Sequence, residues 1–156
     1  MKYVVSDIHG CYEEFMELLE KISFSENDEL FVLGDVLDRG PEPIKTMQEI
    51  MGRKNITFLL GNHEYMFALM LQVLDDEDMD FEEKNNLLND WFEDGAIVTS
   101  AQFLELKNEE QDAILDYTFN FTSKLDNINA TTVLAVERDT KIKCVAVYDK
   151  RERVTG

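Results

Sequence analysis

The sequence predicts an α/β fold built on a parallel βαβαβ layer with added helices, and three observations predict it. Short, continuously apolar runs recur at Tyr3 to Val5, Leu30 to Leu33 and Thr57 to Leu60. Such runs suit strands buried on both faces of a parallel sheet. Each is followed by a cluster of Gly, Asp, His or Asn and then by helical periodicity. The repeated interval of one strand plus one helix fits right-handed crossovers, which bring functional residues to the carboxyl ends of the strands.

In the first helix Tyr12, Phe15, Met16, Leu19 and Ile22 share a face, opposite Glu13, Glu14, Glu17 and Glu20. Pro41 is expected in the first turn of the second helix, where its missing N–H costs little. Ile44, Met47 and Met51 mark the inner face there and Gly52 the stop. The third helix carries Met66, Phe67, Leu69, Met70, Val73 and Leu74, apolar nearly all round, and is expected to be buried. The acidic run from Asp75 to Glu83 reads as a solvated loop and first helical turn, because it lacks the spaced ligands and central Gly of a calcium loop. Leu87, Leu88, Trp91 and Phe92 predict a helix ending near Gly95, and Asn108 with Gln111 caps a further helix through Tyr117. Val133 to Val136 and Ile142 to Tyr148 can pair as a β-hairpin across Arg138 to Lys141, without an Asn-Gly or Asp-Gly turn signal.

Charge narrows the partners. The 156 residues include 33 Asp plus Glu against 15 Lys plus Arg, a formal net charge of -18. A surface so negative repels nucleic acid and anionic membrane. A composition 44% hydrophobic and 10% aromatic still supplies a core. Cys11 and Cys144 are expected as reduced thiols, no signal peptide or bilayer-spanning run is read, and a cytoplasmic location follows. The Asn-x-Thr triplets at Asn55, Asn120 and Asn129 are then chance. The charge is uneven: residues 1–117 hold 8 basic and 28 acidic residues, whereas 118–156 hold 7 and 5. The division expected is a body over 1–117 that carries the motifs and an unassigned tail over 118–156.

The chemistry lies in three clusters, one after each strand: Asp7, Ile8, His9, Gly10; then Gly34, Asp35, Val36, Leu37, Asp38, Arg39, Gly40; then Gly61, Asn62, His63, Glu64. Asp7 precedes Asp35 by 28 residues and Asp35 precedes Asn62 by 27, so all three land on one edge of the sheet. Carboxylate, imidazole and amide oxygen together suit hard or borderline divalent metals. Each residue also has a plainer reading. Asp38 and Arg39 could form a local ion pair capping the second helix, Asn62 could be a helix N-cap, Glu64 a favourable charge in a first turn, and Cys11 a packing residue.

These clusters resemble the Asp-x-His-Gly, Gly-Asp-x-x-Asp-Arg-Gly and Gly-Asn-His-Glu signatures of the calcineurin-like metallophosphoesterases, specifically the serine/threonine phosphoprotein phosphatase branch in its bacterial form. The resemblance covers roughly the first 65 residues. It implies two divalent ions (manganese, iron or zinc), with Asp7 and His9 on one, Asp35 bridging, and Asn62 on the second. It further implies His63 as general acid oriented by Asp38, Arg39 on the substrate phosphate beside Asn62 and His63, and phosphomonoester hydrolysis by a metal-bridged hydroxide. The substrate would be a phosphorylated protein or a small phosphoester. Glu64 in place of an Asp favours the protein phosphatase branch over the dinucleoside polyphosphate hydrolases, which stay as the alternative.

The chain also departs from the family. It has no histidine after His63, and its later arginines are Arg138, Arg151 and Arg153. The second metal shell is left with Asp35 and Asn62 unless Asp116, Asp126, Asn127 or Asp149 contributes, and the second sheet is expected to be incomplete. An inactive metal- or phosphate-binding fragment, or a member cut short near Tyr117, remains open beside a working hydrolase.

Overall fold

A computed structural model of the protein describes Met1 to Thr118 in full, apart from the Asp75 side chain, and beyond them the backbone of residues 119–125, 132–138 and 141–148. The chain divides into two units, Met1–Thr118 and Phe119–Gly156. In the first, β1 (Lys2–Val5), β2 (Glu29–Leu33) and β3 (Ile56–Leu59) form a parallel sheet in the order β1-β2-β3. Tyr3 faces Leu30 across one seam and Leu30 faces Ile56 across the other. The central strand is the most apolar, and its Leu30 and Val32 are fully buried, each contributing about 1.5–3 kcal/mol of burial free energy.

Helices cover the sheet because their apolar positions repeat at helical spacing. α1 (Tyr12–Lys21) buries Phe15 and Leu19; α2 (Pro43–Gly52) buries Ile44, Met47 and Ile50; α3 (Asn62–Asp75) buries Phe67, Met70 and Val73. α4 (Phe81–Trp91) starts at Asp80, whose carboxylate accepts from the Glu82 and Glu83 N–H groups, so the acidic run is a loop and an N-cap. Phe67 at the centre meets Phe103 edge-on at 5.0 Å between centroids. These side chains form one continuous core with Trp91 and Ile114.

Several local expectations need correction. α2 begins at Pro43, while the Pro41 carbonyl accepts from Gln102 Nε2 at 2.6 Å in the loop before it. α3 is buried on one side only: Tyr65, Leu69 and Leu74 are exposed. The helix expected to end near Gly95 passes through a π-type turn (Phe92–Ala96) and resumes as α5 (Ile97–Leu104), because Ala96, Thr99 and Phe103 prolong the buried face. Lys107, rather than Asn108, stands at the start of α6 (Asn108–Leu125). Its carbonyl accepts from Gln111 N–H, and Glu110 reaches back to its N–H. That helix runs past Tyr117 to Leu125.

In the second unit β4 (Thr132–Arg138) and β5 (Lys141–Tyr148) pair antiparallel, with a register shift between Val136 and Glu137. Asp126, Asn127, Asn129, Asp149, Arg151 and Arg153 lie outside the described residues. Among the described residues, no helix is long and apolar enough to cross a membrane.

Candidate active site

The three glycine-bearing clusters converge at the carboxyl ends of β1, β2 and β3, and their backbone is strained there. Among the described residues, six non-glycine residues have positive φ. Five are Asp7 (55°), His9 (46°), Asp35 (54°), Asp38 (67°) and Arg39 (67°); the sixth is Ser23. The left-handed region costs an L-residue about 1–2 kcal/mol, so such a concentration needs bracing by the surrounding structure. Backbone bonds lace the loops together: His9 N–H donates to Asp35 O at 2.9 Å, Gly10 N–H to Val36 O at 2.8 Å, and Arg39 N–H to Gly95 O at 2.9 Å.

Glu64 is the main brace. Its side chain is fully buried; Oε1 accepts from the Val36 and Leu37 N–H groups at 2.8 and 2.9 Å, and Oε2 from those of Asp35 and Gly61, both at 3.0 Å. One carboxylate thus ties the loop after β2 to the start of α3. Burial pushes its pKa up, with the Asp35 charge adding, against the lowering by the backbone donors. The loops must also touch: a Cβ on Gly61 would lie 2.3 Å from Asp35 N, and one on Gly34 2.4 Å from Gly61 Cα.

Ligand atoms of Asp7, His9 and Asp35 all lie within 4.8 Å of one another. His9 Nδ1–H donates to the Leu37 carbonyl at 2.9 Å, which leaves the Nε2 lone pair for a metal. That nitrogen lies 4.0 Å from Asp7 Oδ1. The Asn62 amide lies 3.2 Å from both Asp35 carboxylate oxygens. With its nitrogen toward Asp35 the amide donates to both carboxylate oxygens, and with its oxygen there the two groups can share a cation. The donor set of carboxylate, neutral imidazole and amide oxygen fits divalent ions such as Mn2+, Fe2+ or Zn2+. Asp116 is exposed on α6 and takes no part in this cluster, the one such group among the described residues.

Beside it, His63 is buried with its ring edge-on to that of His9, 4.7 Å between centroids. Its Nδ1 lies 2.8 Å from Asp38 Oδ2. The other Asp38 oxygen accepts from the Thr99 hydroxyl at 2.5 Å, and the Asp38 N–H donates to that same hydroxyl at 2.9 Å. Burial lowers the His63 pKa. The hydrogen bond and charge of Asp38, with the charge of Asp35, outweigh it and raise the net value, Arg39 opposing them. Arg39 places Nη1 3.2 Å from His9 Nε2 and donates from Nη2 to Asp94 Oδ1 at 3.2 Å; the other Asp94 oxygen is 3.8 Å from His63 Nε2.

The structure brings the seven candidate residues, Asp7, His9, Asp35, Asn62, His63, Asp38 and Arg39, together at this edge. Some of the plainer readings change. Asp38 pairs with His63 and Thr99, and Arg39 with Asp94, so the two form no local ion pair. Asn62 is the first residue of α3 and Gly61 its cap, so Asn62 is not the N-cap. Cys11 stands at the N-cap position of α1 without a side-chain capping bond, its thiol 3.8 Å from the His9 carbonyl. Sequence reasoning missed Asp94, at the end of a predicted helix, and Thr99, between two predicted helices. The signal there was Gly95, whose φ of 105° turns the chain back onto the site.

A parallel sheet edge that brings together carboxylates and an imidazole able to hold a divalent ion, beside an Asp–His pair, is an arrangement suited to a metallohydrolase fold of the α/β class. The sequence profile of the calcineurin-like phosphoesterases matches residues 3–144, and the chain belongs to that family. Over 64 residues it is 47% identical to a symmetrical bis(5'-nucleosyl)-tetraphosphatase of Buchnera aphidicola, covering 40% of this chain and 23% of that protein. It is 41% identical over 70 residues to one from Wigglesworthia glossinidia brevipalpis, covering 44% of this chain and 26% of that protein. The matched part spans about a quarter of the length of these relatives. A solved structure provisionally assigned as a diadenosine tetraphosphatase is 25% identical, covers 54% of this chain and 40% of that one, and has a TM-score of 0.43. The preference for protein phosphatases that rested on Glu64 finds no support among these relatives. The Glu64 side chain binds backbone, which says nothing about substrate.

Proposed function

We propose that this site hydrolyses phosphoryl bonds of small phosphorylated nucleotides, of the dinucleoside polyphosphate class. The observation that carries the chemistry is the Asp7, His9 and Asp35 cluster lying against His63, Asp38 and Arg39. The substrate class rests on the names of the relatives and on their identity across the site-bearing residues. Asp7, His9 and Asp35 would hold one divalent ion, with Asp35 and Asn62 on a second. When bound, such ions lower the pKa of water and neutralise phosphoryl charge.

The protein's own groups do the rest. The forked guanidinium of Arg39 binds phosphoryl oxygens, and a phosphoryl group there exchanges for the Asp94 carboxylate on the same fork. His63 holds its Nδ1 proton on Asp38 and offers the Nε2 proton to the leaving oxygen. The apolar core beneath the sheet edge keeps these loops fixed against one another.

The test is incubation of the purified chain with diadenosine tetraphosphate and Mn2+, with products resolved by chromatography. Two nucleoside diphosphates per substrate, lost in His63→Gln, are expected. Metal binding with no turnover of this compound, or turnover of phosphopeptides alone, would refute the reading.

A further inference from the structure

We infer that Thr99 is a positioning residue for His63: through Asp38 it fixes which imidazole nitrogen carries the held proton and which faces the reacting groups. The inference rests on the proposed role of His63. Thr99 stands 61 residues after Asp38, on α5, and is fully buried. Its hydroxyl has one proton, and two contacts settle its direction. The Asp38 N–H donates to Oγ1 at 2.9 Å, so the oxygen is an acceptor there, and the hydroxyl proton goes to Asp38 Oδ1 at 2.5 Å. Oδ1 is thereby occupied as an acceptor. Oδ2 is left to accept at 2.8 Å, and the atom facing it, His63 Nδ1, must carry a proton. The direction of donation runs from Thr99 to Asp38 from one side and from His63 to Asp38 from the other. Nε2 is left facing outward toward Asp94, on the side of Arg39 and His9.

Backbone strain explains why Asp38 needs a second anchor. Its φ is 67°, a conformation that an aspartate keeps only when its surroundings hold it. The Thr99 oxygen engages both the backbone N–H and the carboxylate of Asp38. It therefore fixes the φ and the side-chain direction with one group. α5 in turn is delivered by the turn at Gly95, where a Cβ would lie 2.7 Å from Arg39 Cγ. Valine matches threonine in shape but can neither accept from the Asp38 N–H nor donate to Oδ1; serine can do both.

The experiment needs no metal for its first readout. In metal-free protein carrying 15N-labelled histidine, the chain's two histidines give two imidazole signals, assigned by loss of one in His63→Gln. Thr99→Val is expected to abolish the slowly exchanging Nδ1 proton of His63 and spare that of His9, which is held by the Leu37 carbonyl. Thr99→Ser keeps both. Persistence of the His63 signal in Thr99→Val overturns the inference. Should Thr99→Val fail to fold, the unmodified protein decides. A slowly exchanging Thr99 hydroxyl proton with a nuclear Overhauser contact to the Asp38 amide supports it, and the lack of one overturns it.

The second readout is kinetic. Thr99→Val should lower kcat on an alkyl phosphomonoester about 10- to 100-fold, leave KM within about 2-fold, and lower kcat on an aryl ester, whose leaving group needs no proton, less than about 3-fold. Equal losses on both esters overturn the inference. Wild-type protein inactive on both esters and on diadenosine tetraphosphate refutes the proposed function instead, and the proton signals still decide the part played by Thr99.

Discussion

Glu64→Gln tests whether one buried carboxylate holds the site loops together. The carboxylate accepts four backbone N–H bonds, two on each oxygen. An amide keeps one acceptor oxygen and turns the other position into a donor. Whichever way it sits, either Val36 and Leu37 or Asp35 and Gly61 then point N–H groups at an NH2. Each buried N–H stripped of its acceptor costs about 1–3 kcal/mol, or about 2–6 kcal/mol for the pair. Removing a buried charge, the same burial that pushes the Glu64 pKa up, returns part of this, leaving about 2–4 kcal/mol. That is a large share of the roughly 5–15 kcal/mol of a typical domain. Urea unfolding at neutral pH, followed by fluorescence of the single tryptophan, Trp91, should show the midpoint lowered by about 1–2 M for an m-value of about 2 kcal/mol/M. The variant that remains folded should bind Mn2+ about 10-fold more weakly, because Asp35 loses its backbone anchor. A midpoint within about 0.3 M of wild type would refute the reasoning, since orphaned N–H groups cannot be that cheap in a buried site.

Three further outcomes follow from the same geometry. Asp94→Asn should leave stability within about 0.5 kcal/mol, because its pair with Arg39 is half exposed, yet tighten inorganic phosphate binding to the metal-loaded protein several-fold by calorimetry, since a negative charge leaves Arg39 and His63. Gly95→Ala should destabilise by at least about 1 kcal/mol in thermal unfolding, because the residue has a φ of 105° and no space beside Arg39 Cγ. In metal-free protein the raised His63 pKa means that its charged form stabilises the fold fully below the ordinary value of 6.5, a contribution lost as pH rises through the folded value. His63→Gln should accordingly lower Tm more at pH 6 than at pH 9, and an equal loss at both would contradict the Asp38 and Asp35 attribution.

Much of this was legible in the sequence, for a physical reason that also explains what was not. The strands, α1 and the seven residues at the strand ends are encoded locally, by apolar runs, helical periodicity and the residue types that metals and phosphoryl groups require. Thr99, Asp94 and the duty of Glu64 are encoded by distance. Thr99 acts on a residue 61 positions earlier, and Glu64 on N–H groups up to 29 positions away. Backbone donors leave no mark in a sequence, so a glutamate that serves them reads as a helix-turn charge. Likewise Gly95 reads as a helix stop, because positive φ at glycine commonly ends helices. Here the same φ bends the chain and the buried face of α5 carries it on. Exposure of Tyr65, Leu69 and Leu74 was hidden in another way, since apolar periodicity reports a helix and not what covers it.

The electrostatics of the edge set an order on binding. Asp7, Asp35, Asp38, Asp94 and Glu64 surround a site to which Arg39 brings the fixed positive charge, and Arg39 is already engaged by Asp94. An anionic substrate meeting that arrangement finds carboxylates at close range with little to offset them. On the proposed function, cations held by Asp7, His9, Asp35 and Asn62 would reverse the balance, so phosphoryl affinity should rise with metal occupancy. By linkage, metal affinity must rise by the same factor in the presence of the phosphoryl group. The chain's net charge of -18 then works for the site rather than against it. On the proposed function it would draw divalent ions to the sheet edge and leave phosphate recognition to a small region, where the Arg39 guanidinium and the ions would act together while negative surface repels competing polyanions.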